Sequence, residues 1–466
     1  MAQEVQIAGA IFSDVPKISV PDSNNVYHAF VDTSDTTAAA SDVASGKYFY
    51  AADGTRTAGT ASGGGGATLI TKSITANGTY NASSDNADGY SQVTVNVSGG
   101  GGSGNMADPI RFFDYDGTLV ASYTSVPSAL PSVPAHTGLT SGTWNYTLQQ
   151  ITTQFNATGT CDVGANYTTS SGATEIDIEL PDGRLHPYLS LAVKGTVSID
   201  WGDGSTPDTS TGTSLTTRKS DIHHEYAQAG KYTIKISKTS SGSSDGYSLY
   251  CTSTYFLLNK NSSTSTQNHI YANAVRNVRI GANCTIGKYA FHDCFSLQSI
   301  SIPSTVTSIG SYAFSYCYSL KHISIPTGVT SIDTNTFYNC SSIVSVSIPI
   351  GVTKLGNNAF TNCCPLSSIT IPSGLTSIGI GTMQYCSSLA SITVPGNVST
   401  IGTQAFQYCY GAAAYHFKPT TPPTLSNTNA FSGIPSDCII YVPSAKLNDY
   451  KTADIWSNYA SYMVGE

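Results

Sequence analysis

Residues 291–313 read FHDCFSLQSISIPSTVTSIGSYA, and the same pattern returns every 23 residues to the end of the sixth copy. Phe291, Phe314, Phe337, Phe360, Met383 and Phe406 keep this step, as do Cys294, Cys317, Cys340, Cys363, Cys386 and Cys409. Pro303, Pro326, Pro349, Pro372 and Pro395 keep it as well. Within one copy Leu297, Ile300 and Ile302 have L-x-x-L-x-L spacing. Ile300 and Ile302, two apart, share one face of a strand, and Ser299 and Ser301 take the other. Pro303 has no N–H and ends the strand. A period of about 20–29 residues with this spacing predicts a leucine-rich solenoid. One rung cannot bury its apolar side alone, so the rungs must stack and both ends need caps.

The opening rung is expected at Asn273–Gly287, with Val278 and Ile280 and then Cys284 and Ile286 facing inward. The last rung is off-beat: Phe431, then Ile439 and Tyr441 as its strand and Pro443 as its stop. Residues 444–463 read as a short amphipathic cap whose buried side is Leu447, Tyr450, Ile455, Trp456, Tyr459 and Met463.

The consensus IGxxAFxxCxSLxSIxIPxxVTSIG resembles the BspA-type leucine-rich repeat of bacterial surface proteins, over about 170 residues. That resemblance implies adhesion to host or cell-surface molecules and no shared catalytic residues.

Composition narrows the possibilities. Charged residues make up 11% of the 466, against the usual ~25%, and Ser, Thr, Gly, Asn and Tyr take their place. A net charge of −8 speaks against nucleic-acid partners. No apolar run reaches the ~18 residues of a membrane span, and MAQEVQIAGAIFSD has no basic region followed by an apolar core, so neither a membrane partner nor a secretory signal is expected. The chain has 11 cysteines. Six stack one rung apart at inward positions and read as a ladder of small free thiols rather than disulfides. No C-x-x-C pair exists, so neither a metal nor another cofactor is implied.

The predicted class is mainly β: small β modules and an immunoglobulin-like sandwich, then the solenoid with a helical cap. By number, 1–62 is a β-rich N-terminal module with a helix-capable stretch at Thr36–Ser45 and a hairpin at Asp53-Gly54. A Gly-rich linker leads to a small β module at 67–98, and a second linker to a β-rich module at 105–165. A sandwich at 166–240, a connector at 241–272, the solenoid at 273–443 and the cap at 444–466 complete the chain. Residues 40–60 (ASDVASGKYFYAADGTRTAGT) and 74–97 (ITANGTYNASSDNADGYSQVTVNV) resemble N-terminal modules of phage and prophage tail receptor-binding proteins. That likeness implies a virion tail location and contacts with other tail or baseplate proteins through the N-terminus. A bacterial cell-surface location is the alternative. A homo-oligomer stays open, since no coiled-coil heptad specifies one.

Two constellations invite a chemical reading. Asp114-Tyr-Asp116-Gly-Thr-Leu119 matches the D-x-D-G-T-L signature of haloacid dehalogenase-like phosphatases, which would make Asp114 the nucleophile and Asp116 the acid/base. The surrounding Ser/Thr/Gly/Pro text has almost no helical periodicity, only a turn or two at 144–154, and predicts a β-hairpin turning at Asp116-Gly117 instead. The segment VSIDWGDGS…HHEYAQAGKYTIKIS resembles a PKD-type immunoglobulin-like domain through Trp201, Gly202-Asp203-Gly204, His224, Tyr226, Gly230 and Tyr232. Asp200, Asp203 and Asp208 could gather oxygens for Ca²⁺, but Asp203 as a turn former is the simpler reading.

No catalytic residue is assigned. Two surfaces are candidates for a receptor, glycan or protein, on a bacterial surface. The first is the outward strand side, a hydroxyl floor of Ser301, Ser324, Ser347, Thr370 and Thr393. The second is a tyrosine rim beside the cysteines: Tyr289, Tyr312, Tyr316, Tyr318, Tyr338, Tyr385, Tyr408 and Tyr410. Tyrosine supplies large contact area at low entropic cost, and the rung's core does not require it there.

Overall fold

The computed structural model describes residues 108–466, apart from 141, 184, 220, 253–256 and 259–270, together with the backbone of nine strands before residue 98. Residues 1–106 and 107–466 form two separate compact units.

In the first unit, Tyr48–Ala51 and Thr55–Ala58 pair antiparallel around Asp53-Gly54, as the turn residues predict. Thr36–Ser45 and both Gly-rich linkers lie outside the described residues. The two N-terminal beads share strands: Gln3–Ile7 pairs with Gln92–Val97, and Thr55–Ala58 with Lys72–Ser73. Local turn signals could not disclose these non-local pairings.

The second unit starts with a small α/β module. Strands β1 (Ile110–Phe113), β2 (Leu119–Tyr123), β3 (Thr143–Trp144) and β4 (Cys161–Asn166) form a sheet of order β2-β1-β4-β3. The β1–β2 turn is the predicted hairpin: Asp114 and Thr118 are hydrogen-bonded at its base and Gly117 has φ +92°. Helix α1 (Leu148–Thr158) is longer than the turn or two expected. Its signal was in the caps rather than the periodicity: Thr147 and Gln150 form a capping box, and Gly159 closes the helix at φ +76°.

Next come β5 (Thr174–Leu180), β6 (Leu191–Asp200), β7 (Asp208–Lys219), β8 (Gly230–Lys238) and β9 (Gly246–Leu249). Strand β5 and the GTVSID end of β6 alternate as predicted, but all five strands belong to one eight-stranded sheet that runs on into the solenoid. Strand β5 pairs with β10 (Val275–Arg279), which pairs with β12 (Ser299–Ser301). At the other edge β9 pairs with β11 (Cys284–Ile286). The expected connector at 241–272 therefore contributes a strand. An exposed sheet edge needs a partner and a first rung needs a cap, and here each meets the other's need. One apolar cluster runs unbroken from Ile176 in β5 to Met463 near the C-terminus.

The solenoid has about 8 turns. Most rungs give a three- or four-residue strand on one side, as in His322–Ser324 paired parallel with Ser345–Ser347, and a two-residue strand at the opposite corner, as in Ser331–Ile332 with Lys354–Leu355. The phenylalanines stack at 5.3–5.4 Å between centroids from Phe291 to Phe360. All 11 cysteines are free. From Cys317 to Cys409 each ladder thiol donates to the carbonyl of the Phe or Met one rung back, as Cys340 does to Phe314 at 3.1 Å and Cys363 to Phe337 at 3.2 Å. Burial pushes the thiols up, Cys340 to about 12, so they stay neutral hydrophobes.

The last rung corrects the sequence reading by one residue. In Ile439–Val442 it is Ile440 and Val442 that are buried, whereas Ile439 and Tyr441 face out. Beyond it lie α2 (Leu447–Thr452), a 3₁₀ stretch (Ile455–Tyr462) and a final strand (Met463–Gly465) parallel to Ile439–Val442. Tyr450, Trp456, Tyr459 and Met463 are buried as expected, while Leu447 and Ile455 are half-buried.

Candidate functional site

Each rung shows two sides that could meet a ligand, and the fold treats them differently. The outward strand side of the first rungs is closed by the chain's own α/β module. Ser301, Ser324, Ser347 and Thr370 are all at most 3% exposed. This corrects the hydroxyl-floor expectation, leaving only Thr393 half-exposed beyond the module.

The covering is built from the repeat's prolines. In the strand ladder the Ile325 N–H donates to the Ser347 carbonyl one rung on. The carbonyl of the same residue faces the same following rung, as the Val394 carbonyl accepts the Lys418 N–H; for Ile325, Ile348 and Ile371 the nitrogens in that place are those of Pro349, Pro372 and Pro395, which carry no hydrogen. The module supplies the missing donors. Asn145 Nδ2 donates to the Ile325 carbonyl at 3.0 Å, Tyr146 OH to Ile348 at 2.6 Å, and Gln154 Nε2 to Ile371 at 2.8 Å. Gln154 Oε1 also accepts the Ser373 N–H at 2.7 Å. The floor hydroxyls are used as well: Ser301 donates to the Tyr167 carbonyl, Ser324 accepts from Asn166, and Thr370 accepts the Asp162 N–H. Gly164 lies so close that an added Cβ would sit 2.6 Å from Ser324 Cβ. His322 is sealed beneath Phe113 and Gly117, with Nδ1 on Ser345 Oγ at 2.7 Å and Nε2 without a hydrogen-bond partner. Burial drops its pKa to about 4.

The turn ridge is open. Two columns on it hold left-handed backbone in every rung. One is Tyr289, Tyr312, Asn335, Asn358, Gly381 and Gln404; the other is Asp293, Tyr316, Asn339, Asn362, Tyr385 and Tyr408. Gly and Asn tolerate that region, and other residues cost roughly 1–2 kcal/mol there. Tyrosine occupies it five times against the backbone's preference. The rings stack along the solenoid: Tyr289 on Tyr312 at 4.7 Å, Tyr385 on Tyr408 at 4.8 Å, and Phe295 on Tyr318 at 5.1 Å. Tyr338 meets Tyr316 edge-on at 5.5 Å. Tyr318, Tyr385 and Tyr410 are 40%, 38% and 58% exposed. Buried tyrosines elsewhere commit their hydroxyls to the protein, as Tyr226 does to Trp201 O and Tyr450 to Pro419 O. Among the described residues, no such bond holds the hydroxyls of Tyr318, Tyr385 or Tyr410. The structure thus brings all eight predicted tyrosines to one ridge and separates them from the predicted hydroxyls.

The carboxylates of the two chemical constellations are tied into hydrogen bonds within the protein. Asp114 is 4% exposed; its Oδ1 accepts Tyr167 OH at 2.9 Å and the Tyr115 N–H, and its Oδ2 is 2.7 Å from His136 Nε2. Asp116 accepts the Thr118 N–H within the turn. In the WGDG segment Asp203 accepts from Ser205 N and pairs with His224 at 2.7 Å, while Asp208 accepts from Trp201 Nε1. Burial opposes ionisation of Asp203, but the Ser205 and His224 hydrogen bonds outweigh it and lower its pKa to about 2. Among the described residues no cluster of three His, Cys, Asp or Glu could hold a metal ion, and no helix is long and apolar enough to cross a membrane.

The fold therefore defines a capped leucine-rich-repeat solenoid with one face covered. Residues 284–412 match the BspA type leucine rich repeat region in six copies. Among solved structures, a leucine rich repeat protein of T. pallidum is 24% identical over 39% of this chain and 78% of that one, with a TM-score of 0.29. A leucine rich cell surface protein of Faecalibacterium prausnitzii is 22% identical, over 36% of this chain and 60% of that one, at 0.26. A leucine-rich repeat protein of Bacteroides ovatus is 22% identical, over 44% and 63%, at 0.29. No curated protein matches the chain.

Proposed function

We propose that the chain is a non-catalytic binding protein of a bacterial surface, an adhesin that meets its ligand with the tyrosine ridge. One observation carries this reading: the strand side is closed by the chain's own module, while the ridge keeps tyrosines at backbone positions that disfavour them. The BspA-type repeat and the likeness to a leucine rich cell surface protein support the surface location. Repeated rungs suit many weak contacts acting together, so avidity rather than one tight pocket would hold the partner.

A second reading, a tail-associated receptor-binding protein, is favoured by the β modules quoted at 40–60 and 74–97, which form a unit apart from the solenoid. Antibody-gold labelling of producing cells and of released particles separates the two. The ridge itself is tested by Tyr316→Ala, Tyr318→Ala and Tyr408→Ala combined. Attachment to target cells should fall at least tenfold with the melting curve still cooperative; unchanged attachment would sink the reading.

A further inference from the structure

We infer that the ridge holds a saddle-shaped site for a short neutral oligosaccharide, at rungs three and four; this deepens the adhesin reading and rests on it. In the second and third ridge columns aromatic residues flank small neutral ones, while the first column is aromatic at its N-terminal end alone. The first column runs from Tyr289 and Tyr312 through Asn335 and Asn358 to Gly381 and Gln404. The second, after the buried Asp293, runs from Tyr316 through Asn339 and Asn362 to Tyr385 and Tyr408. The third runs from Phe295 and Tyr318 through Ser341, Cys364 and Ser387 to Tyr410.

The walls face each other along the solenoid. Tyr312 lies flat on Tyr289, and Tyr385 flat on Tyr408, so each pair covers its inner faces and keeps its outer ones. Tyr312 turns its outer face to the next rung at Asn335, and Tyr385 turns its own back to Asn362. From Tyr316 to Tyr385 is three rungs, about 14 Å at ~4.8 Å per rung. That gap admits a chain of a few pyranose rings between two aromatic end walls, over a floor of amides and hydroxyls with Tyr338 standing edge-on to Tyr316 at its near end.

The chemistry selects a neutral occupant. None of the floor and wall residues from rung two to rung five carries a charge, and Asp333 beside them is turned to Ser331 Oγ at 3.2 Å. An acidic polymer would find no cation here, and a cationic peptide no carboxylate, whereas sugar hydroxyls pair with Asn amides and phenol hydroxyls, and C–H faces pack on the rings. The rung stacking also supplies an axial repeat, so a polymer of identical units meets similar groups at each step.

The test uses the full chain and two variants that the ridge itself licenses. Tyr316→Asn with Tyr385→Asn installs the residue that the same column carries at Asn339 and Asn362, removing both walls. Asn362→Tyr keeps every tyrosine and fills the floor with a residue that this column already accommodates. Binding is measured by calorimetry with cello-, malto- and chito-oligosaccharides of four to six units, against oligogalacturonate as the acidic control. The expected result is binding of one neutral series, weakened at least tenfold by either variant, with both melting within a few degrees of the parent. Oligogalacturonate as the better ligand, or a neutral series that binds both variants equally, overturns the site. Loss of cell attachment in the variants, with no oligosaccharide bound and with attachment abolished by protease but not periodate treatment of the cells, overturns the sugar and leaves the ridge standing. Undiminished attachment in both variants removes the ridge reading as well.

Discussion

The strand side and the turn ridge are built from the same 23-residue text, yet one is a closed internal interface and the other a free surface. The difference lies in what the backbone leaves over. On the strand side Pro349, Pro372 and Pro395 lack an N–H and each strands a carbonyl one rung back, and Asn145, Tyr146 and Gln154 supply the three missing donors. On the ridge the turns satisfy their own backbone, and what is left over is side chain. A repeating unit therefore does not present equivalent faces. The face with unmet backbone bonds attracts a partner from its own chain, and the satisfied face is free for another molecule.

The comparison can be broken at its common base. Phe337→Ala removes one plate of the interior stack that supports both faces, and should cost about 3–5 kcal/mol in urea unfolding. If the loss is under 1 kcal/mol, the rungs do not act as one core. The closed face is next, through pH. Folded His322 takes its proton only near pH 4, whereas an unfolded histidine takes it near 6.5. Between those values the unfolded state binds more protons, so stability falls as pH falls, by up to about 3 kcal/mol. The His322→Ser protein should be less stable at pH 7 and lack that part of the slope; an unchanged slope would show that the histidine is not sealed by the module.

Gln154→Ala removes a buried donor and acceptor together and should cost about 2–3 kcal/mol, with faster hydrogen exchange at residues 368–373 but not on the ridge. Exchange that rises equally on both faces would mean that the module does not act locally. The ridge should give the smallest response. Tyr316→Asn exchanges a left-handed backbone cost of about 1–2 kcal/mol against lost ring packing of about 0.5–1.5 kcal/mol, so stability should stay within ~1 kcal/mol of the parent. Native alkylation with iodoacetamide should modify Cys364, the exposed thiol, well before the buried ladder cysteines, since their thiolates are suppressed by burial.

Much of this was legible in the residues. The period, the inward Phe, Ile and Cys, the hairpin at Asp116-Gly117 and the buried side of the C-terminal cap follow from spacing and turn chemistry, which act over a few residues. The tyrosine rim was legible as a departure from the consensus. A sharper signal went unused: at two columns Asn, Gly and Tyr replace one another, the mark of left-handed backbone. What failed was long-range. Alternation showed that Ser301, Ser324, Ser347 and Thr370 point away from the core, but not that Asn166, Tyr167 and Asp162 lie on them. It showed strands at 174–238, but not that their sheet continues into Val275–Arg279. Helix α1 was hidden because it buries Gln154 and Thr158 beside Ile151, leaving a weak apolar stripe.

By itself the sequence determined a stacked solenoid with an apolar and thiol interior, because that periodicity can be satisfied only by neighbours one rung away. It also placed a proline where the strands end, and so left a carbonyl without a donor on the rung before. Only the tertiary structure decided which group met those carbonyls. The answer depended on residues more than 150 positions upstream, whose amides and hydroxyls reveal no partner until the chain is folded. That choice closed the strand side and left the tyrosine ridge as the open face.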